Sequence, residues 1–262
     1  MRKKEDTGTR GKYKKSHFLN QFDRKFIVEH GTIFVIFFII LFIAGTSGGF
    51  ADKIGWELLN KWYGDDVHLA DGIHSVWWDV GEYYLPAIDC VWLSDAIVFS
   101  QLFLGMFCIL YKPKSLKNLV ERLSTFCLIY GIILFLRTIT IFSTVHSVSP
   151  VVAARLREGE NVSMIKESIG YIANTNCFDM MFSGHASSDL TMALFAIYCL
   201  SAPFIVRALT IINGIFGCVA LIMVGDHYTS DILVAVYTTI LVFFSFITRV
   251  RKNFDPTYHP NP

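Results

Sequence analysis

The chain has 262 residues, 53% of them hydrophobic and 17% charged, with a mean hydropathy of +0.46. That balance excludes an ordinary soluble domain, and a formal net charge of +1 gives no bulk attraction for nucleic acid. Six cysteines without a CxxC spacing exclude a thiol-redox or zinc-ribbon framework.

Crossing the hydrocarbon takes about 20 mostly apolar residues, and six such runs are legible: 31–50, 93–111, 119–142, 184–202, 203–224 and 227–248. The expectation is an all-α polytopic membrane protein, with six transmembrane helices forming one bundle over residues 31–248. Residues 1–30 open with MRKKEDTGTRGKYKK, a basic tail suited to the anionic cytosolic side. With polar residues ahead of it and no small-residue cleavage pattern behind it, the first run reads as a permanent span rather than a signal peptide. It ends in Gly45-Thr46-Ser47-Gly48-Gly49-Phe50, a glycine-rich exit that suits a helix terminus. Residues 51–92 hold all five tryptophans and more acids than bases, so they form an interfacial segment facing away from the cytosol.

The second run closes at Tyr111, where Lys112, Lys114, Lys117 and Arg122 mark a cytosolic turn. The third returns outward with Arg137 near its far end. An exoplasmic loop, 143–183, follows and carries the glycosylation sequon Asn161-Val162-Ser163. The fourth and fifth meet at Ser201-Ala202-Pro203 near Arg207. The sixth leads into a cytosolic tail, 249–262, with Arg249, Arg251 and Lys252, so both termini are cytosolic. Cys108, Cys127, Cys199 and Cys218 lie inside runs as apolar filler. Cys90 and Cys177 lie near the outer surface, and a disulfide between them is left open.

This topology gathers the unusual polar residues at the outer ends of four runs: Asp89 before the second, Arg137 in the third, His185 and Asp189 in the fourth, His227 and Asp231 in the sixth. Ionisable residues at such positions are functional candidates. Ser183 suits a helix N-cap, Gly184 permits close approach, and the helix N-terminus behind them favours an anion beside His185. His227 and Asp231, four apart, share a helical face, so the carboxylate can orient the imidazole through one ring nitrogen and leave the other to react. Two imidazoles and a carboxylate are the parts of a phosphoryl-transfer site. Plainer readings stand beside this one: a cap with an interfacial histidine, a helix-stabilising pair, and a structural ion pair for Arg137 with Asp89, Asp179 or Asp231. Asp189, one turn below His185, either supports that ring or faces a polar interior. Nitrogen and oxygen ligands would suit zinc, but nothing like HExxH is present, and neither metal nor cofactor is expected.

At these residues the chain resembles the sphingomyelin synthase family, integral-membrane relatives of the lipid phosphate phosphatases. The family pattern CGDxxFSGHT is met by Cys177 to Ala186, with Phe178 for the glycine and Ala186 for the threonine; HYTxDV is met by His227-Tyr228-Thr229-Ser230-Asp231-Ile232. A second pattern survives as Arg137 followed by Thr144, and a first as Pro86-Ala87-Ile88-Asp89. The resemblance implies a lipid phosphate phosphatase-like bundle that moves a phospho-headgroup (phosphocholine, phosphoethanolamine or phosphoinositol) from a glycerophospholipid to ceramide, releasing diacylglycerol. It implies a triad of His185, His227 and Asp231, with Arg137, Asp179, Ser183, Gly184, Asp89 and Tyr228 binding substrate. It further implies a Golgi or plasma membrane (the endoplasmic reticulum remaining open), a lumenal or exoplasmic active site, and partners that are membrane lipids, with self-association left open. A lipid phosphatase or phospholipase C-like hydrolase, and a non-enzymatic transporter using its histidines and acids as a proton relay, remain the alternatives.

Overall fold

A computed structural model describes residues 22–63, 79, 84–86, 88, 90, 92–143, 182–225 and 227–259, with side chains in the first stretch described as far as Ser47. Among the described residues all regular structure is helical: α1 (Arg24–Tyr63), α2 (Trp92–Leu110), α3 (Leu116–Ser143), α4 (Gly184–Tyr198), α5 (Phe204–Met223), α6 (Thr229–Ser245) and α7 (Ile247–Phe254). Four of these are long and apolar enough to cross a membrane: the Arg24–Ser47 part of α1, α2, α3 and α5. The pair α6 and α7 makes a fifth if taken as one span broken by 68°. Several apolar helices of this length make the chain an integral membrane protein.

Helix boundaries depart from the sequence expectation for local reasons. α1 starts at Arg24 rather than 31 because the Asp23 carboxylate accepts the Phe26 amide at 2.6 Å, closing the first turn ahead of two basic residues. It also runs through the glycine-rich exit. Thr46 and Ser47 return their hydroxyls to the carbonyls of Phe42, Ile43 and Ala44, and the cost of glycine in a helix, about 1 kcal/mol each, is not enough to end it. The expected fourth span, 184–202, is a 15-residue helix that turns at Cys199 before Pro203 starts α5. The expected sixth is divided at Phe246, whose ψ of 14° stops the helix without a proline or glycine.

α4 is the axis of the bundle. It packs against α2, α3, α5, α6 and α7, and its residues from Ala186 to Ala196 are buried apart from Leu190. Burial on all sides explains why Ser187, Ser188, Asp189 and Thr191 are tolerated there: they face protein rather than lipid. Tyr130 on α3 and Ser188 exchange a hydrogen bond at 2.5 Å. Gln101 on α2 donates to the Asp189 and Thr210 carbonyls at 2.8 and 2.9 Å, tying α2, α4 and α5 together. Gly217 on α5 sits so close to α4 that a Cβ there would overlap the Asp189 carboxylate.

At the far end of α4, Phe195 is fully buried among Phe126, Phe243 and Phe254, with ring centroids 5.8, 5.2 and 5.1 Å away. Beside it the buried Arg122 guanidinium donates to the carbonyls of Asn253, Ile109 and Tyr111, satisfying the last turns of α7 and α2. The outward faces are apolar: Phe99 and Phe103 on α2, Ile205 and Ile212 on α5 and Phe38 and Phe42 on α1 are all at least half exposed, the surface a bilayer would cover.

Candidate functional site

The end of the bundle opposite the phenylalanine cluster is built from five helix ends. Ser183, fully buried, caps α4 by accepting the Ala186 amide at 3.1 Å. His185 is thereby fixed in the first turn. Its ring is one-third exposed, and Nε2 lies 3.2 Å from Oδ1 of Asp95, in the first turn of α2. Two residues past the end of α5, Gly225 with a φ of 74° makes the left-handed turn that glycine supplies. That turn delivers His227, only 10% exposed at its side chain, to within 6.4 Å of the His185 ring, centroid to centroid.

His227 does not begin α6 but precedes its cap. Tyr228 is the N-cap and Asp231 the third helical residue. The Asp231 carboxylate accepts the Tyr228 amide at 3.1 Å through Oδ2, and the same oxygen lies 3.5 Å from Nδ1 of His227. The expected pairing of His227 with Asp231 is therefore present, across a cap rather than along a helical face. Tyr228 contributes this amide to the arrangement, and a second carboxylate completes the helix start: Asp79 accepts from Thr229 through both the amide, at 2.8 Å, and the hydroxyl, at 2.6 Å.

Arg137 is buried in the last two turns of α3. Nε donates to the Phe182 carbonyl at 3.2 Å, and the guanidinium lies against Gly184 so closely that a Cβ there would stand 3.1–3.4 Å from Nε, Cζ and Nη2. The close approach that glycine permits is thus made by the arginine. A guanidinium and the positive end of a helix lie side by side at the residue before His185, and an anion between them would be stabilised by both. The chemistry this arrangement supports is attack by one imidazole on an electrophile whose departing oxygen the other imidazole protonates, beside a cationic site for the negative oxygens.

The structure brings together His185, His227, Asp231, Arg137, Ser183, Gly184 and Tyr228. Asp89, Asp179, Asn161 and Cys177 lie outside the described residues. Asp189 is not the partner of His185: its carboxylate lies against α5, and neither oxygen has a hydrogen-bond partner among the described residues. Asp95 takes that position, and sequence reading missed it. The available signal was a carboxylate in the first turn of an apolar helix.

Residues 176–248 match the PAP2 superfamily C-terminal family. Over this stretch, which holds His185, His227 and Asp231, the chain is similar to that family. The chain is also 36% identical over 88 residues to phosphatidylcholine:ceramide cholinephosphotransferase 2 of Caenorhabditis elegans, an alignment covering 30% of this chain and a quarter of that protein's length. The aligned part of the chain is thus similar to a ceramide cholinephosphotransferase, and it spans only about a quarter of that relative's length.

Proposed function

We propose that the chain transfers a phospho-headgroup, phosphocholine in the first instance, from a glycerophospholipid to ceramide, using His185, His227 and Asp231. The observation that carries the reading is the 6.4 Å separation of the two imidazole rings, one facing Asp231 and the other Asp95. An attack distance of about 3–3.5 Å to phosphorus, followed by a hydrogen bond of about 2.7–3 Å from the second ring to a phosphoryl oxygen, accounts for such a gap.

With Nδ1 turned to Asp231, Nε2 of His227 attacks phosphorus, and the bond to the diacylglycerol oxygen breaks as His185 supplies that oxygen's proton. The headgroup is left on His227 through a phosphorus–nitrogen bond. His185, now a base, takes the proton of the ceramide hydroxyl, whose oxygen displaces His227 and restores the enzyme. Arg137 and the α4 N-terminus hold the negative phosphoryl oxygens through both steps, and Asp231 stabilises the positive charge on His227. With Nε2 of His185 toward Asp95, its Nδ1 carries the proton.

In this proposal α4 counts as a span because it is encased by other helices, giving six, with residues 1–30 and 249–262 as cytosolic tails and the histidines at the lumenal or exoplasmic surface of a Golgi or plasma membrane. The one-third exposure of His185 favours a second reading, in which water takes the place of ceramide and the chain is a hydrolase. The test is release of label from choline-labelled phosphatidylcholine by the purified chain, with and without ceramide. The proposal expects labelled sphingomyelin only when ceramide is present. Water-soluble label formed equally in both cases would replace transfer by hydrolysis, and no turnover of either kind would remove the enzymatic reading.

A further inference from the structure

A cavity of about 480 Å³ opens at the end of the bundle away from the histidines, between the start of α1, the start of α3 and the break joining α6 to α7. It exists because α7 departs by 68° from the axis of α6 instead of continuing it. Phe26 and His30 form its back wall, the imidazole anchored by a 2.6 Å hydrogen bond between Nδ1 and the Ser124 hydroxyl. Its charged lining is Lys117, Arg249 and Lys252 against Glu29 and Glu121.

These groups are not equally committed. Arg249 is held by the Thr125 hydroxyl at 3.3 Å and by Glu29 at 3.4 Å, so it is a fixed charge in the wall. Lys117 rests its ammonium over the Phe26 ring, 5.1 Å from the centroid, and Lys252 is exposed at the rim. Lys117 precedes Arg137 on α3 by twenty residues, roughly 30 Å of helix, about the depth of the hydrocarbon. The cavity therefore lies at headgroup level on the surface opposite the proposed reaction. Its size falls within the range of about 300–1,000 Å³ usual for ligand sites.

We infer that this cavity binds the headgroup of an anionic glycerophospholipid whose phosphodiester is followed by hydroxyls, a glycerol or inositol head. Three cations and two carboxylates leave one net positive charge, which a single phosphodiester neutralises. The lysines and Arg249 take the phosphate oxygens, and the carboxylates of Glu29 and Glu121 accept from the hydroxyls. A trimethylammonium head offers no donor to those carboxylates, and a phosphomonoester brings more charge than the lining balances. The site is independent of the histidines and stands whether or not they transfer headgroups.

The experiment uses the full chain, purified in detergent and exchanged into nanodiscs of phosphatidylcholine with equimolar phosphatidylglycerol or phosphatidylinositol. Lipid retained on release is counted by native mass spectrometry. The expected result is one phosphatidylglycerol or phosphatidylinositol kept in at least fivefold preference over phosphatidylcholine, with the preference falling as salt rises. It should drop to about one in K117Q/K252Q, whose exposed substitutions leave the melting temperature unchanged. No preference in the unaltered chain overturns the inference even if the double variant does not fold, and so does a preference the variant retains. Displacement of the lipid by millimolar glycerol 3-phosphate or inorganic phosphate would assign the cavity to soluble phosphate compounds and overturn the lipid source.

Discussion

Asp231 serves two partners with one carboxylate. Its Oδ2 accepts the Tyr228 amide and lies 3.5 Å from Nδ1 of His227, so the residue that caps α6 also places a negative charge beside that ring. The two roles separate under substitution. In Asp231→Asn the side-chain carbonyl can still accept the Tyr228 amide, and the melting temperature should stay within about 2 °C. The negative charge facing Nδ1 is lost, however, and the proposed headgroup transfer should fall by roughly 10²–10⁴-fold. Asp231→Ala removes the cap as well, adding a destabilisation of about 1 kcal/mol. Equal activity in Asp231→Asn and the unaltered chain, measured on the same membranes, would reduce Asp231 to a cap and remove it from the chemistry.

At the scale of elements, α6 is held from outside itself. Asp79 belongs to the segment between α1 and α2, yet it accepts from both the amide and the hydroxyl of Thr229, 150 positions away in the chain. Asp79→Ala should cost about 1 kcal/mol, as loss of an N-cap acceptor does. A double-mutant cycle with Thr229→Val, read by thermal unfolding, should return a coupling of about 0.5 kcal/mol or more; additive effects would dissolve the link between this segment and α6. None of this was legible beforehand, because a contact between a loop acid and a distant helix start leaves no spacing in the sequence. What was legible had local causes. Ser183, Gly184 and His185 announced a cap and a close approach, and His227 with Asp231 announced a pair, since these depend on neighbours a few positions away. The apolar runs marked where helices lie, while the break at Phe246 and the short α4 escaped notice. Both are settled by packing: α4 is enclosed by five other helices, and α7 bends to close over the end of α3 and α4.

For the molecule as a whole, the decisive quantity is the separation of its two charged ends. Lys117, Arg249, Arg251 and Lys252 sit at one end, and Arg137 with the histidines at the other. Charges so distributed are stable in a bilayer only if its surfaces lie between the two groups, and the basic end faces the cytosol when the positive-inside rule governs insertion. Single cysteines at Tyr84, 73% exposed, and at Ser115, in the exposed turn between α2 and α3, report on the two ends. Cys108, Cys127 and Cys199 are buried and can be retained; Cys90, Cys177 and Cys218 are replaced first. On intact cells expressing the chain at the plasma membrane, an impermeant maleimide should label residue 84 at once and residue 115 only after permeabilisation. Labelling of both from outside would mean that the two ends share a surface, and the bundle could not span as described. The reverse pattern would keep the bundle but turn the histidines to the cytosolic leaflet, where they would meet that leaflet's lipids instead.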